Sequence, residues 1–201
     1  MMTNEVEKDY ELAKRYLRDE ASPSYEKGLL HLRKAADAGH VKAQYNLGIY
    51  LHEGIGCPES KQDAYFYFQL ASAQGHGRST YMLGCYWLLG LNGFVQSEER
   101  AAHFFRMAAD EGIMDAQYNL GVLLLEGKGL PKSEDEAVRY FELAAEQGSA
   151  EAQYNLGICH LKGLGVPPSE EEGVRHLELA VQGGHEEAPK VLEKILMSPA
   201  N

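Results

Sequence analysis

Apolar residues in this chain fall on helical spacings that are written several times over. Ala137, Tyr140, Phe141, Ala144 and Ala145 stand at i, i+3, i+4, i+7 and i+8, one face of an amphipathic helix. The same stripe returns as Ala64, Tyr67, Phe68, Ala71 and as Ala101, Phe104, Phe105, Ala108, Ala109. Between these stripes lie patterns of about a dozen residues, such as Val41 to Glu53, which set small Ala43 and Gly48 beside Leu47. No stretch alternates with period two over a useful length, so the predicted fold class is all-α.

The two patterns alternate as parts of one repeat. Ala-Gln-Tyr-Asn-Leu-Gly occurs at Ala43–Gly48, Ala116–Gly121 and Ala152–Gly157, and Ser79-Thr80-Tyr81-Met82-Leu83-Gly84 is a weaker copy. Tyr45, Tyr81, Tyr118 and Tyr154 are separated by 36, 37 and 36 residues. Gly54, Gly90, Gly127 and Gly163 form a second column with the same period, and Gly39, Gly75, Gly112, Gly148 and Gly184 a third. The one additional residue falls within Leu91 to Gln96, and insertions of this kind mark loops. A fixed period with two helices per repeat predicts an α/α solenoid.

A glycine inside a helix costs about 1 kcal/mol relative to alanine. Its return at Gly48, Gly84, Gly121 and Gly157 therefore points to close approach of a neighbouring helix. Turn glycines and then Pro58, Pro131 or Pro167 end each first helix, and the second opens at Ser60, Ser97, Ser133 or Ser169. Ser133 with Glu136 and Ser169 with Glu172 read as capping boxes, in which each member satisfies an orphaned N–H of the other. The ends are degenerate copies. Tyr10 to Ala13 with Gly28, His31, Leu32, Ala35 and Ala36 make the first pair, and Gly173, His176, Leu177, Ala180 and Val181 close the fifth. The expected organisation is one repeat domain over 1–201, with pairs at about 4–39, 40–75, 76–112, 113–148 and 149–184. A charged capping helix at about 186–197 follows them.

Composition narrows the partners. The chain has 201 residues with 30 acidic against 19 basic side chains, a net charge of −11. Such a surface repels phosphate, so no nucleic-acid partner and no attraction to anionic membranes is expected. The stretch from Met1 to Asp19 has no apolar run, and nothing later reaches the length of a membrane span. Cys57, Cys85 and Cys159 are odd in number and lack the close pairing of a disulfide framework or zinc site. Cytoplasmic placement is the expectation for the residues present, although a chain trimmed of a leader would read the same. The charged last helix should prevent end-to-end stacking and leave a monomer.

No catalytic chemistry stands out. His40, His76 and His185 share one repeat column, and His31 and His176 share another with Tyr67, Phe104 and Tyr140. Only His52, His103 and His160 remain, and His160 and its neighbour Cys159 point about 100° apart on a helix, so no metal site is expected. There is no G-x-S-x-G elbow or phosphate-binding P-loop, and the Gly-x-Gly pairs follow helices where a nucleotide cradle follows a strand. The acidic runs Glu134–Glu136 and Glu170–Glu172 suit helix N-termini. No cofactor is expected.

Residues 116–148 carry Ala-x-x-x-Leu-Gly-x-x-x-x-x-Gly-x-Gly followed by Ala-x-x-x-Phe-x-x-Ala-Ala-x-x-Gly. With these columns the chain resembles the Sel-1-like repeat family, a longer relative of the tetratricopeptide repeat. One departure is a serine where family members often place an acidic residue before the second helix. The resemblance implies a right-handed superhelix whose first helices line a concave surface, and a non-enzymatic adaptor that binds a partner protein or peptide there. By analogy with tetratricopeptide arrays, the lining residues would be Tyr45, Tyr81, Tyr118 and Tyr154, the column Cys85, Val122 and Ile158, and His52, Leu88, Leu125 and Leu161. Charge would stand at the edge in Glu53, Glu126 and Lys162. The competing expectation is that tight winding buries these side chains as ordinary core. Two other functional readings stand beside the adaptor. One is a hydrolase or β-lactam-binding protein like some cysteine-rich bacterial relatives, whose regularly paired cysteines are absent here. The other is a self-assembling structural module.

The repeat places Leu120 in the core. Leu120→Ala should lower the unfolding free energy by about 2–5 kcal/mol in urea titrations, and a loss below about 0.5 kcal/mol would show that the core face is misassigned.

Overall fold

The computed structural model describes residues 2–18, 24–93 and 95–197. Eleven α-helices occupy them: α1 Met2–Leu17, α2 Tyr25–Asp37, α3 Val41–Glu53, α4 Lys61–Ser72, α5 Gly77–Leu89, α6 Glu98–Asp110, α7 Met114–Glu126, α8 Glu134–Glu146, α9 Ala150–Lys162, α10 Glu170–Gln182 and α11 Ala188–Met197. No strand occurs among the described residues. The chain forms two compact units, 1–97 with α1 to α5 and 98–201 with α6 to α11. Within each, helices pack on their neighbours in sequence, the arrangement of an all-α solenoid of helix pairs. The division falls at the insertion predicted in residues 91–96. Leu91–Gly93 forms a 3₁₀ turn there with Asn92 left-handed at φ 58°, while position 94 lies outside the described residues.

The helix pair is set by the mid-helix glycine. A Cβ on Gly121 would lie 2.7 Å from the Phe141 ring and 3.2 Å from the Ala137 carbonyl oxygen. Gly48 stands in the same relation to Phe68 at 2.6 Å, and Gly157 to Leu177 at 2.8 Å. Phe68, Phe105, Phe141 and Leu177 are fully buried, as are Leu47, Leu120 and Leu156. The predicted close approach is therefore between the two helices of one pair. A turn glycine then carries the contact to the next pair. Gly129 has φ 71°, and a Cβ there would fall 2.2 Å from the carbonyl carbon of Glu98 at the start of α6.

Serine opens the second helices as expected, but the capping box is half made. The hydroxyls of Ser60, Ser133 and Ser169 accept from the N–H groups of Asp63, Glu136 and Glu172. The reciprocal bond, from serine N–H to the glutamate, is replaced. Ser60, Ser97, Ser133 and Ser169 instead donate to the carbonyls of Leu51, Trp87, Leu124 and His160 at 2.8–3.0 Å. Within each unit the second helices α4, α8 and α10 are thus pinned at their capping serines to the last turn of the first helix. Glu136 and Glu172 are left free to pair with Arg106 and Arg175.

The histidine column has a structural role that its position after a glycine did not reveal. Nδ1 of His40 accepts from Ala43 N–H at 3.1 Å, and Nδ1 of His76 from Ser79 N–H at 3.3 Å, so imidazoles cap α3 and α5. Ser149 does the same for α9. The last helix, α11, keeps this register. Ala188 stands in the column of Ala43 and Ala152 and, like them, is fully buried. Leu192 stands in the Leu47 column but is partly exposed, and Glu193 occupies the glycine column. α11 is therefore a first helix in position, with an exposed glutamate where α3, α7 and α9 place glycine.

Two outcomes follow from this packing. Gly121→Ala adds up to about 1 kcal/mol of helix propensity but overpacks a rigid ring contact that costs about 1–3 kcal/mol. Denaturant unfolding should therefore show a net loss, the reverse of the usual gain for this substitution. Burial, reinforced by Arg78 and Lys42, lowers the His76 imidazole below its ordinary value of 6.5. On acidification the unfolded chain takes up the proton first, so the cap's stabilisation is whole above about pH 6.5 and is lost as pH falls through the folded-state value. His76→Asn keeps a capping acceptor without the titration. Between about pH 7.5 and 5 the wild type should lose more stability in denaturant titrations than this variant, and an equal loss in the two would remove the role given to His76.

Candidate binding surface

First helices α3 and α5 in residues 1–97, and α7 and α9 in residues 98–201, carry the side chains singled out from the repeat. The four tyrosines are neither free nor fully buried. Tyr45, Tyr81, Tyr118 and Tyr154 are each half-buried. The Tyr45 ring lies 6.1 Å from Phe68 and 4.7 Å from the capping His76, and Tyr118 lies 6.1 Å from Phe141. Tyr154 stacks flat on His185 at 4.2 Å and 10°, as Tyr10 stacks on His40 at 4.2 Å. The hydroxyls are used as well. Asn46 Nδ2 donates to Tyr10 Oη at 3.1 Å, and Tyr118 hydrogen-bonds Asn155 of the following pair. Burial pushes the Tyr118 hydroxyl above its ordinary value and keeps it protonated. One edge of each ring described here is thus built into the repeat, and the side chains on α3, α7 and α9 stay partly exposed.

The second column divides in the same way. His52 Nδ1 shares a 2.8 Å hydrogen bond with Tyr86 Oη, and its Nε2 stands 3.7 Å from Glu53. Tyr86 is fully buried, which drives its hydroxyl strongly upward from 10. Leu88 and Leu125 are half-buried. Leu161 turns toward α10, where it would meet a Cβ on Gly173 at 2.7 Å, and it packs with Tyr154 against the Leu177, Ala180 and Ala188 cluster. Glu53 and Glu126 are exposed, and Glu126 pairs with Lys128 at 2.8 Å. Cys85, Val122 and Ile158 are partly exposed. Cys57, Cys85 and Cys159 form no disulfide, and burial pushes the Cys159 thiol up to about 11, where it is an inert apolar filler.

A polar groove that the repeat columns did not flag lies between α8, α9 and α10. It encloses about 550 Å³ and is lined by Glu142, Glu146, Gln153, His160, Arg175 and His176, with Glu172 at its side. The His160 and His176 rings stack at 5.4 Å and 10°. His176 Nδ1 meets Gln153 Oε1 at 2.7 Å, and burial with Arg175 nearby lowers its affinity for a proton. His160 stands in a column held by Leu51 and Leu124, and His176 in one held by Tyr67 and Tyr140 and, in the first pair, by His31. That substitution was the available signal. Charge is also uneven, because residues 98–201 hold 19 of the 30 acidic but only 9 of the 19 basic side chains. Ten of the eleven net negative charges therefore belong to that half.

Comparison with known proteins places this geometry. The Sel1 repeat model matches residues 3–19, 9–40, 41–76, 77–113, 115–149 and 150–185. A Sel1 repeat protein from Oxalobacter formigenes superposes with a TM-score of 0.83 at 30% identity, over 96% of this chain and 56% of that one. A protective antigen of uropathogenic Escherichia coli with an SLR fold gives 0.80 at 30% identity, over 83% of this chain and 36% of the other. The chitin synthase regulator SKT5 of Malassezia restricta is 31% identical over 100 residues, which are 49% of this chain and 7% of that protein. The curated relatives are far longer, and the chain spans from 7% to 20% of their length.

Proposed function

Because the chain belongs to the Sel1 repeat family, we propose that it is a non-enzymatic scaffold that binds a partner protein or peptide on its first-helix surfaces. The observation that carries this reading is the half-exposed strip of repeated aromatic and aliphatic side chains on those helices. Tyr118 and Leu125 head it in residues 98–201, and Tyr45 and Tyr81 in residues 1–97. Rings held on one edge by internal contacts lose little conformational freedom on binding, which favours them as anchors. The acidic Glu53 and Glu126 at the strip's edge add charge that would select a cationic partner. A relative named for regulating chitin synthase is consistent with action through another protein. Three cysteines outside any disulfide suit a reducing, cytoplasmic setting.

The test is substitution of the strip without loss of the fold. Tyr118→Gln combined with Leu125→Gln should cut recovery of partners in affinity purification by roughly tenfold or more, with helical circular dichroism retained. Glu126→Lys, at an exposed site, should weaken recovery with no effect on stability. Unchanged recovery in both variants would remove this surface from the reading.

A further inference from the structure

Between α2 and α4 the protein seats a guanidinium of its own. Arg33 Nη1 donates to Tyr67 Oη at 3.4 Å, and Tyr67 Oη donates to Asp37 Oδ1 at 2.7 Å. The guanidinium carbon lies 5.9 Å from the centre of the Tyr67 ring. Arg106, in the Arg33 column, likewise reaches forward from α6 to Glu136 of α8 at 3.4 Å. The groove between α8, α9 and α10 is built on the same columns with the cation missing. Glu142 stands where Arg33 and Arg106 stand, Glu146 where Asp37 stands, and His176 where Tyr67 stands. Among the described residues no cation pairs with Glu142 or Glu146, and the adjacent Glu172 is held by Arg175 of its own helix at 2.8 Å.

The space left is about 550 Å³, and its apolar wall has been exchanged for two parallel imidazoles. His160 Nδ1 is buried without a hydrogen-bond partner. The amide oxygen of Gln153 can only accept, so His176 carries its proton on Nδ1 and turns the Nε2 lone pair toward Arg175 Nη2 at 3.4 Å. The stacked imidazole pair offers a flat face to a planar cation. We infer that this groove takes the guanidinium of an arginine from a partner protein, stacked on His160 and His176 and paired with Glu142 and Glu146. Arginine fits better than lysine, because its planar fork can stack and pair with two carboxylates at once. The net charge of residues 98–201 draws such a partner in. The inference rests on the protein-binding reading, and it names the chemistry of one contact.

The experiment titrates N-acetyl-arginine amide into the full chain and follows the imidazole signals by ¹H–¹⁵N NMR. Saturable shifts at His160 and His176 are expected, weaker with N-acetyl-lysine amide and absent with the uncharged N-acetyl-citrulline amide. Glu142→Gln with Glu146→Gln should weaken the response roughly tenfold. Glu142→Arg, which restores the chain's own cation, should abolish it while circular dichroism stays unchanged. Equal shifts with citrulline, an unaltered response in Glu142→Arg, or no saturable shift in the folded wild type would each overturn the assignment. The probe is a single side chain, so a negative result leaves partner capture by Tyr118 and Leu125 standing, and loss of that capture leaves this titration unaffected.

Discussion

The structure depends on how closely two helices of a pair can approach. At Gly48, Gly121 and Gly157 the missing Cβ is replaced by a ring or branched side chain from the partner helix, at separations that no alanine could share. The propensity lost by placing glycine in a helix is offset by burial of Phe68, Phe141 and Leu177 with no exposed surface. Because contacts within each unit run between neighbours in sequence, each pair there needs this fit locally.

Two further contacts turn a pair into an array. Backbone N–H groups of Ser60, Ser133 and Ser169 reach back to first-helix carbonyls, which settles the angle at which α4, α8 and α10 depart. Between pairs, tyrosine rings lean on capping histidines, and asparagines of the following pair hold tyrosine hydroxyls. The tyrosine column is therefore shared between stability and surface. A side chain held in this way is rigid, which is why the same residues can serve both purposes.

Departures from the columns are where one pair becomes different from another. Leu51 and Leu124 become His160, Tyr67 and Tyr140 become His176, and Arg33 and Arg106 become Glu142. Each exchange is compatible with the helix pair because the glycine contact, Gly157 on Leu177, is retained beneath it. Packing tolerates the change, and the groove above it acquires charge and space.

The all-α class and the reason for the helical glycines were legible in the sequence, because each depends on residues repeated at one period. The first-helix span Val41–Glu53 and the serine starts came from the same regularity. Hydrogen-bond partners were not legible. The serine N–H groups choose carbonyls 9 or 10 residues earlier over the glutamates three residues later, a choice made by the turn's path in space. The imidazole caps, the pinning of tyrosine hydroxyls by Asn46 and Asn155, and the turn of Leu161 toward Gly173 likewise rest on contacts between separate helices. By itself the sequence determined which residues share a column, since periodicity is a property of order along the chain. Only the tertiary structure decided which faces of those columns are spent on neighbours and which remain open, since that depends on distances between helices.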